Sequence, residues 1–249
     1  MIIRKIRVRS ILARSQVSDH TVNPYVGCQH RCSYCYARFM KRFSAHKEPW
    51  GEFVDAKINA PDLLSKEIDR KPRGRVWISG VCDPYQPVEK EYELTRKCLE
   101  ILVRCGWPAT IQTKSPLALR DMDLFRRGAD IEVGLSIATA DDDIRRLFEP
   151  NAPPIGERIK ALGELHHEGI RTYAMIAPML PGAEGLAAQL SGRVDHVLID
   201  KMNYHHGDWV YRKHHLEEAM SCDFFRSKGK ELAAAFADQG IECRVLFGS

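Results

Sequence analysis

The chain has 249 residues, of which 44% are hydrophobic and 28% charged. This length and balance suit one globular domain with a sizeable buried core, and no apolar run approaches the roughly 18 residues that cross a bilayer. The net charge of +4 and pI near 8.6 are mildly basic, below the pI above about 9 that is typical of a dedicated nucleic-acid domain.

The first ten residues are basic but lack the continuous apolar segment of a signal peptide. We therefore expect a cytoplasmic protein with no membrane attachment, in which the eight cysteines are reduced and favour metals over disulfides. Further basic residues lie at 38–47. These residues could contact phosphates, or they could simply form a solvated basic face.

In chain order, residues 1–20 are predicted to form an irregular or hairpin-like lead-in with an edge strand at 6–9. Strands and helices then alternate. Predicted strands cover residues 21–25, 75–79, 109–113, 132–137, 171–176, 196–199 and 242–247. Predicted helices cover residues 38–43, 61–69, 94–105, 120–127, 141–148, 155–168, 185–191 and 226–239.

The alternation of strands and helices with short connections predicts an α/β fold with parallel strands and right-handed crossovers. Six main units in about 200 residues indicate a partial (β/α)6 barrel with helices outside. We expect a single domain over residues 1–249, with the lead-in at 1–20 and a helix–strand extension from about 205. In such folds the chemistry gathers at the carboxyl ends of the strands.

Three cysteines lie within eight residues of the loop after the first main strand, at Cys28, Cys32 and Cys35. Thiolates so clustered can hold an iron–sulfur cluster, usually with four ligands, and the missing fourth would leave one iron open to a small molecule. A structural zinc site is the alternative, but it needs a fourth ligand that only His30 could supply within the loop. A disulfide framework would need an oxidising compartment.

This C-x3-C-x2-C spacing, with Tyr34 before the third cysteine, resembles the radical S-adenosylmethionine (SAM) superfamily. Three further stretches follow predicted strands. Ser79 and Gly80 could expose backbone groups to a ligand ammonium, although the Pro-rich stretch also reads as an ordinary turn. Lys114 could pair with the carboxylate of a bound ligand, or it could be an ordinary surface lysine. The Ser136 hydroxyl could form a hydrogen bond with a ribose, or it could be a core serine that is hydrogen-bonded within the protein.

A narrower resemblance rests on motifs that occur in order over about 160 residues, and it covers residues 10–181. The motifs are Asn23-Pro-Tyr-Val-Gly-Cys28, Cys35-Tyr-Ala-Arg38, Asp83-Pro-Tyr-Gln-Pro87, Thr113-Lys-Ser115, Arg120-Asp121 and Glu149-Pro150. They resemble the proteins related to spore photoproduct lyase, often described as DNA repair photolyases.

The resemblance implies a [4Fe-4S] cluster on Cys28, Cys32 and Cys35, with SAM chelated to the fourth iron. It also implies an external electron donor such as flavodoxin or ferredoxin, and a set of SAM contacts. These contacts are Tyr34, Ser79, Gly80, Lys114, Ser136, Ala177 and Pro178.

Two residues are candidates for a catalytic role. Tyr36 matches a family tyrosine that is proposed to relay the radical. The family's hydrogen-donating cysteine, aligned on Asp83, falls at Val81, and Cys82 lies one position later. A shift of one residue on an extended segment points a side chain the opposite way, so Cys82 qualifies only if this loop is not extended.

The sequence therefore favours a radical SAM enzyme whose substrate is a nucleic acid or a nucleotide. A peptide or a small metabolite is the alternative substrate, and a non-catalytic iron–sulfur or zinc module is the alternative of another class. Trp209 and Tyr211 could stack on a base, but we expect them to pack.

Overall fold

The computed structural model describes residues 1–248, which divide into two compact units. The first unit comprises Met1–Arg31 and Ala37–Val133, and the second comprises Cys32–Tyr36 and the chain from Gly134 onward. In the described part of the chain, no helix is both long and apolar enough to span a membrane.

The first unit contains most of the short strands. Its strands are β1 (Ile2–Ile6), β2 (Leu12–Arg14), β3 (His20–Val22), β4 (Tyr25–Val26), β5 (Phe53–Lys57), β6 (Val76–Ile78), β7 (Ala109–Thr113) and the start of β8 (Ile131–Ser136). Its α-helices are α1 (Ala60–Glu67), α2 (Glu89–Tyr92), α3 (Leu94–Arg104) and α4 (Met122–Arg127). Short 3-10 helices lie at Tyr36–Phe43, whose first residue belongs to the second unit, and at Ile68–Arg70 and Pro116–Asp121.

The second unit continues the alternation from the end of β8. It contains α5 (Asp142–Phe148), α6 (Ile155–His167), β9 (Arg171–Ile176), α7 (Leu186–Leu190), β10 (His196–Ile199), α8 (Asp208–Lys213), α9 (Cys222–Ala237) and β11 (Glu242–Val245). Its short 3-10 helices lie at Ala183–Gly185, His205–Gly207 and Glu217–Met220.

Parallel pairing dominates both units. In the first unit the strand order is β2-β3-β6-β7-β8, with β3, β6 and β7 parallel and β2 antiparallel to β3. A small second sheet has the order β1-β5-β4. In the second unit the order is β8-β9-β10-β11, with β9, β10 and β11 parallel. The predicted α/β alternation with parallel strands is confirmed.

Helical periodicity explains the core of each unit. In α3 the buried residues Leu94, Cys98 and Leu102 recur every four positions. In α6 the buried residues Ile155, Ile159 and Leu162 recur at intervals of four and three positions. These apolar stripes face the sheets, whose central strands are themselves almost fully buried, as in β7 and β8.

Several predicted elements were wrong. The edge strand expected at 6–9 is instead β1, which pairs in parallel with β5 some fifty residues later. The strand expected at 21–25 is divided into β3 and β4, because proline at position 24 cannot donate to a ladder. The last helix begins earlier than predicted, at Cys222, since the Ser221 hydroxyl caps it by accepting from Phe224 N at 3.0 Å.

Candidate functional site

The first part of the cysteine loop lies in the first unit and turns on Gly27, whose φ is +90°. A side chain there would collide with the Phe53 carbonyl, so only glycine fits. Gln86 then brackets Cys28: its Oε1 accepts from Gln29 N at 3.0 Å and its Nε2 donates to Gly27 O at 3.2 Å. One buried amide therefore fixes the backbone on both sides of the first cysteine.

Asp83 joins this loop to the end of β7. Its carboxylate accepts from Thr113 Oγ1 at 2.6 Å, from Lys114 N at 2.8 Å and from Tyr85 N at 2.9 Å, and His30 Nε2 lies 3.1 Å away. Burial alone would raise the pKa of Asp83, but His30 and these hydrogen bonds outweigh it and lower the pKa to about 2. His30 therefore serves as the partner of Asp83.

The Arg120-Asp121 motif has a similar structural role. Arg120 Nη2 contacts Glu89 Oε1 at 2.8 Å and its Nε contacts Asp121 Oδ1 at 2.7 Å. The hydroxyl of Tyr85 donates to Asp121 at 3.0 Å, and that of Tyr25 donates to Glu89. This buried network anchors both the Asp83-Pro-Tyr-Gln-Pro87 loop and the strand that precedes the cysteines.

The second part of the loop, Cys32–Tyr36, lies in the second unit. It forms a tight turn in which Cys35 N donates to Cys32 O at 3.2 Å, and Ser33 N donates to Phe148 O at 2.8 Å. The Tyr34 hydroxyl donates to Glu149 Oε1. Burial, followed by the charge of Glu149, raises the pKa of Tyr34 well above its ordinary value.

Glu149 in turn holds Arg158, whose Nη2 lies 2.6 Å from Glu149 Oε2 while both side chains are fully buried. Arg158 also donates through Nη1 to the carbonyl of Ser136 at 3.0 Å and through Nε to Pro153 O at 2.9 Å. The Glu149-Pro150 motif thus connects the aromatic residue of the cysteine loop to the end of β8. The sequence predicts no role for this motif, because its partner Arg158 lies outside every recognised motif.

All eight cysteines are thiols, and Cys28, Cys32 and Cys35 are each partly exposed. Soft thiolates of this kind are the donors that iron–sulfur clusters require, so the donor set fits such a group. Among residues 1–248, no three Cys, His, Asp or Glu side chains are grouped as a metal site in this conformation. The assignment of the cluster to these cysteines stays a prediction from their spacing.

The predicted SAM contacts lie at strand ends. Ser79 follows β6 with a positive φ of 61°, is buried and donates through its backbone N to Val22 O at 2.8 Å, and Gly80 comes next. Lys114 follows β7 with its backbone N bonded to Asp83. Their side-chain roles stay predictions.

The corresponding residues of the second unit also lie at strand ends. Ser136 is the buried last residue of β8. Ala177 and Pro178 follow β9 and are joined by a cis peptide bond. Their contacts with SAM stay predictions.

Cys82 lies in a bend directly after a turn, so its segment is not extended and the condition set for Cys82 as a hydrogen donor is met. Its thiol donates a hydrogen bond to Tyr25 O at 3.5 Å. The side chain packs against a group of buried hydrophobic residues that includes Tyr25, Val88 and Leu94. Burial raises the pKa of Cys82 to about 11, with the Ser79 hydrogen bond opposing that rise. The group is therefore a protonated thiol at neutral pH.

The three aromatic residues of the second unit that the sequence marks as candidates differ in their exposure to solvent. Tyr211 is buried, where it packs against Phe148, as predicted. Trp209 was expected to pack but is 55% exposed, because it lies on the outer side of α8. Tyr36 is 49% exposed and stacks on Tyr204.

One family model matches the larger part of the chain. The model of the radical SAM superfamily matches residues 22–184, well over half of the chain. An uncharacterized protein of Methanocaldococcus jannaschii is 38% identical over 184 residues, covering 71% of this chain and 69% of that protein. The chain spans only half the length of further uncharacterized relatives from Mycobacterium.

Solved structures of two proteins share the fold. Spore photoproduct lyase, in complex with dinucleoside spore photoproduct, has a TM-score of 0.74 at 14% identity, covering 99% of this chain and 82% of the other. Streptococcus suis SuiB has a TM-score of 0.61 when bound to precursor peptide SuiA, at 14% identity, covering 91% of this chain and 48% of SuiB. SuiB bound to S-adenosylmethionine gives 0.57 at 13% identity, covering 91% and 50%. The predicted α/β fold class of radical SAM type is confirmed.

Proposed function

The chain belongs to the radical SAM superfamily, and we propose that it is an enzyme that cleaves SAM reductively and acts on a nucleic acid or a nucleotide. The cofactors of this superfamily, a [4Fe-4S] cluster and SAM, are the cofactors of this chain. When bound, they supply one-electron cleavage of SAM to a 5′-deoxyadenosyl radical that abstracts hydrogen from the substrate.

The observation that carries the proposal is that both parts of the cysteine loop are fixed by buried side chains. Gln86 and Asp83 fix the segment around Cys28, and Glu149 fixes Tyr34 within the segment of Cys32 and Cys35. In this proposal the three cysteines hold the cluster, and the rigid backbone keeps them ready for it. Such preorganisation lowers the entropy cost of assembling a reactive centre.

The remaining predicted residues would bind and orient SAM. The strand-end loops of Ser79, Gly80 and Lys114 would contact its amino acid part, while Ser136, Ala177 and Pro178 would contact its nucleoside. These positions suit the task because loops at the carboxyl ends of parallel strands are where α/β folds bind ligands.

Cys82 and Tyr36 are the proposed radical-handling residues. Only the protonated thiol carries an S–H hydrogen, and the raised pKa of Cys82 keeps it in that form at neutral pH. Donation of this hydrogen atom to a product radical would form a C–H bond and leave a thiyl radical on Cys82. Tyr36 would carry a radical in the same way, by loss of its phenolic hydrogen.

Anaerobic reconstitution tests the reaction. We expect about four irons per chain, a brown chromophore, and 5′-deoxyadenosine formed from SAM with a reductant. The Cys28→Ala, Cys32→Ala and Cys35→Ala variants should lose all three properties, whereas the exposed Cys222→Ser control should keep them. A colourless zinc-containing protein that leaves SAM intact would refute the proposal.

The substrate class is supported by the basic residues of the chain and by the structural neighbour solved with a dinucleoside. A peptide substrate is the second candidate, since SuiB was solved with a precursor peptide. A bound substrate that closes the site would exclude water from the reacting centre. We expect oligonucleotides, and not unstructured peptides, to raise the rate of 5′-deoxyadenosine formation; the reverse pattern would favour the peptide.

A further inference from the structure

The second unit carries four aromatic rings that we call the aromatic strip: Tyr36, Tyr204 and His206 form one stack, and the exposed ring of Trp209 follows them in the chain on α8. Tyr204 stacks on Tyr36 with ring centroids 6.4 Å apart and planes 20° apart, and on His206 at 5.7 Å and 6°. Tyr36, Tyr204 and Trp209 are 49%, 53% and 55% exposed. Burying so much aromatic surface in a ligand would be strongly favourable, and its exposure without one is costly.

The segment that carries most of this strip is rich in cations. Residues 201–215 contain three cations, Lys201, Arg212 and Lys213, against one acidic residue, Asp208. Asp208 is already engaged by His205 at 3.0 Å and by Arg212 at 3.6 Å. The local charge is therefore positive and lies beside the flat rings, which suits a polyanion with planar groups.

The aromatic strip lies directly beside the cysteine loop. Tyr36 immediately follows Cys35 in the chain. At the other end, Gly207 approaches the loop so closely that a Cβ added there would lie 3.3 Å from Tyr34 Cβ. A ligand bound on the strip would therefore lie next to the segment that carries two of the three cluster cysteines.

We propose that the aromatic strip binds the unpaired bases of a single-stranded nucleic acid and delivers that strand to the cysteine loop. Stacking on aromatic rings requires exposed base faces, which a single strand offers and a duplex hides. Lys213 and its basic neighbours contact the phosphates, which contributes affinity without sequence preference. This inference takes its substrate class from the proposed function and assigns it to particular residues.

Fluorescence anisotropy with the reconstituted full-length chain tests the strip. The probes are labelled oligo-deoxythymidine and oligo-uridine of about 15 nucleotides, longer than a typical single stacking site, with a duplex of the same length for comparison. We expect the single strands to bind more tightly than the duplex, and the two single-strand probes distinguish DNA from RNA.

Tyr204→Ala should weaken single-strand binding by about 5- to 150-fold, since one base stacked on an aromatic ring contributes roughly 1–3 kcal/mol. Tyr204→Phe keeps the ring and should stay within about twofold of the parent affinity. The matched control is Phe43→Ala, which removes an aromatic ring that is 67% exposed in the first unit and should leave binding unchanged.

Salt dependence separates the rings from the charges. Lys213→Gln should reduce the slope of log K against log salt by about 0.7, whereas Tyr204→Ala and Trp209→Ala should lower affinity without changing the slope. Equal binding by the parent and by both ring variants, or a duplex that binds as well as the single strand, would overturn the inference.

Failure of the aromatic strip and failure of the proposed enzyme activity give different results in these experiments. Formation of 5′-deoxyadenosine with no contribution of Tyr204 and Trp209 to binding would refute the strip alone. Ring-dependent binding without SAM cleavage would refute the enzyme and leave the strip intact.

Discussion

The Asp83→Asn substitution tests whether one buried carboxylate holds the first part of the cysteine loop. Asparagine keeps the size and shape of the side chain but removes the charge that Thr113, Lys114 and His30 contact. The pKa of Asp83 falls from its ordinary value of 3.8 to about 2. That lowering corresponds to about 2 kcal/mol of stability at neutral pH.

We expect Asp83→Asn to lower the free energy of unfolding by about 2–4 kcal/mol at pH 7, since it also leaves buried donors poorly paired. Urea denaturation followed by circular dichroism measures this change. The matched control is Asp123→Asn, a half-exposed carboxylate paired with Arg96, for which the loss should stay below about 1 kcal/mol.

The pH dependence has a defined sign. Because the folded-state pKa of Asp83 is depressed, its contribution is fully present above pH 3.8 and is lost as the pH falls toward 2. In Asp83→Asn this part of the acid destabilisation should disappear. If the variant is as stable as the parent, or has the same acid profile between these values, the central role of Asp83 is wrong.

Three further predictions concern packing, a buried ion pair and thiol reactivity. Gly134→Ala would place a methyl group against the buried ring of Tyr173 and should lower the free energy of unfolding, measured in urea, by about 1–3 kcal/mol. Gly156→Ala, on a helix with open space around it, should be neutral or raise that free energy by up to about 1 kcal/mol. Glu149→Gln leaves the fully buried Arg158 without its anionic partner and should lower the free energy of unfolding by about 3–5 kcal/mol in the same assay. A decrease below about 1 kcal/mol would contradict the buried ion pair. Timed alkylation with mass spectrometry at pH 8 should label the exposed Cys222 well before Cys82, whose raised pKa keeps it protonated; equal rates would contradict that pKa.

The sequence alone determined the type of fold and the superfamily. Strand and helix periodicity is a local property, so β7, β9 and β10 have the bounds predicted for them. The spacing of the three cysteines is equally local, and it was sufficient to indicate the superfamily and its cofactors.

Only the tertiary structure decided what the other motifs do. Asp83 meets His30 and Thr113 across gaps of fifty and thirty residues, and Glu149 meets Tyr34 across more than a hundred. No local pattern specifies such partners, because they are set by strand order and helix packing. The sequence did not predict the aromatic strip for the same reason. Ring stacking and solvent exposure are properties of the folded surface, and the alternation of apolar residues along the chain predicts neither.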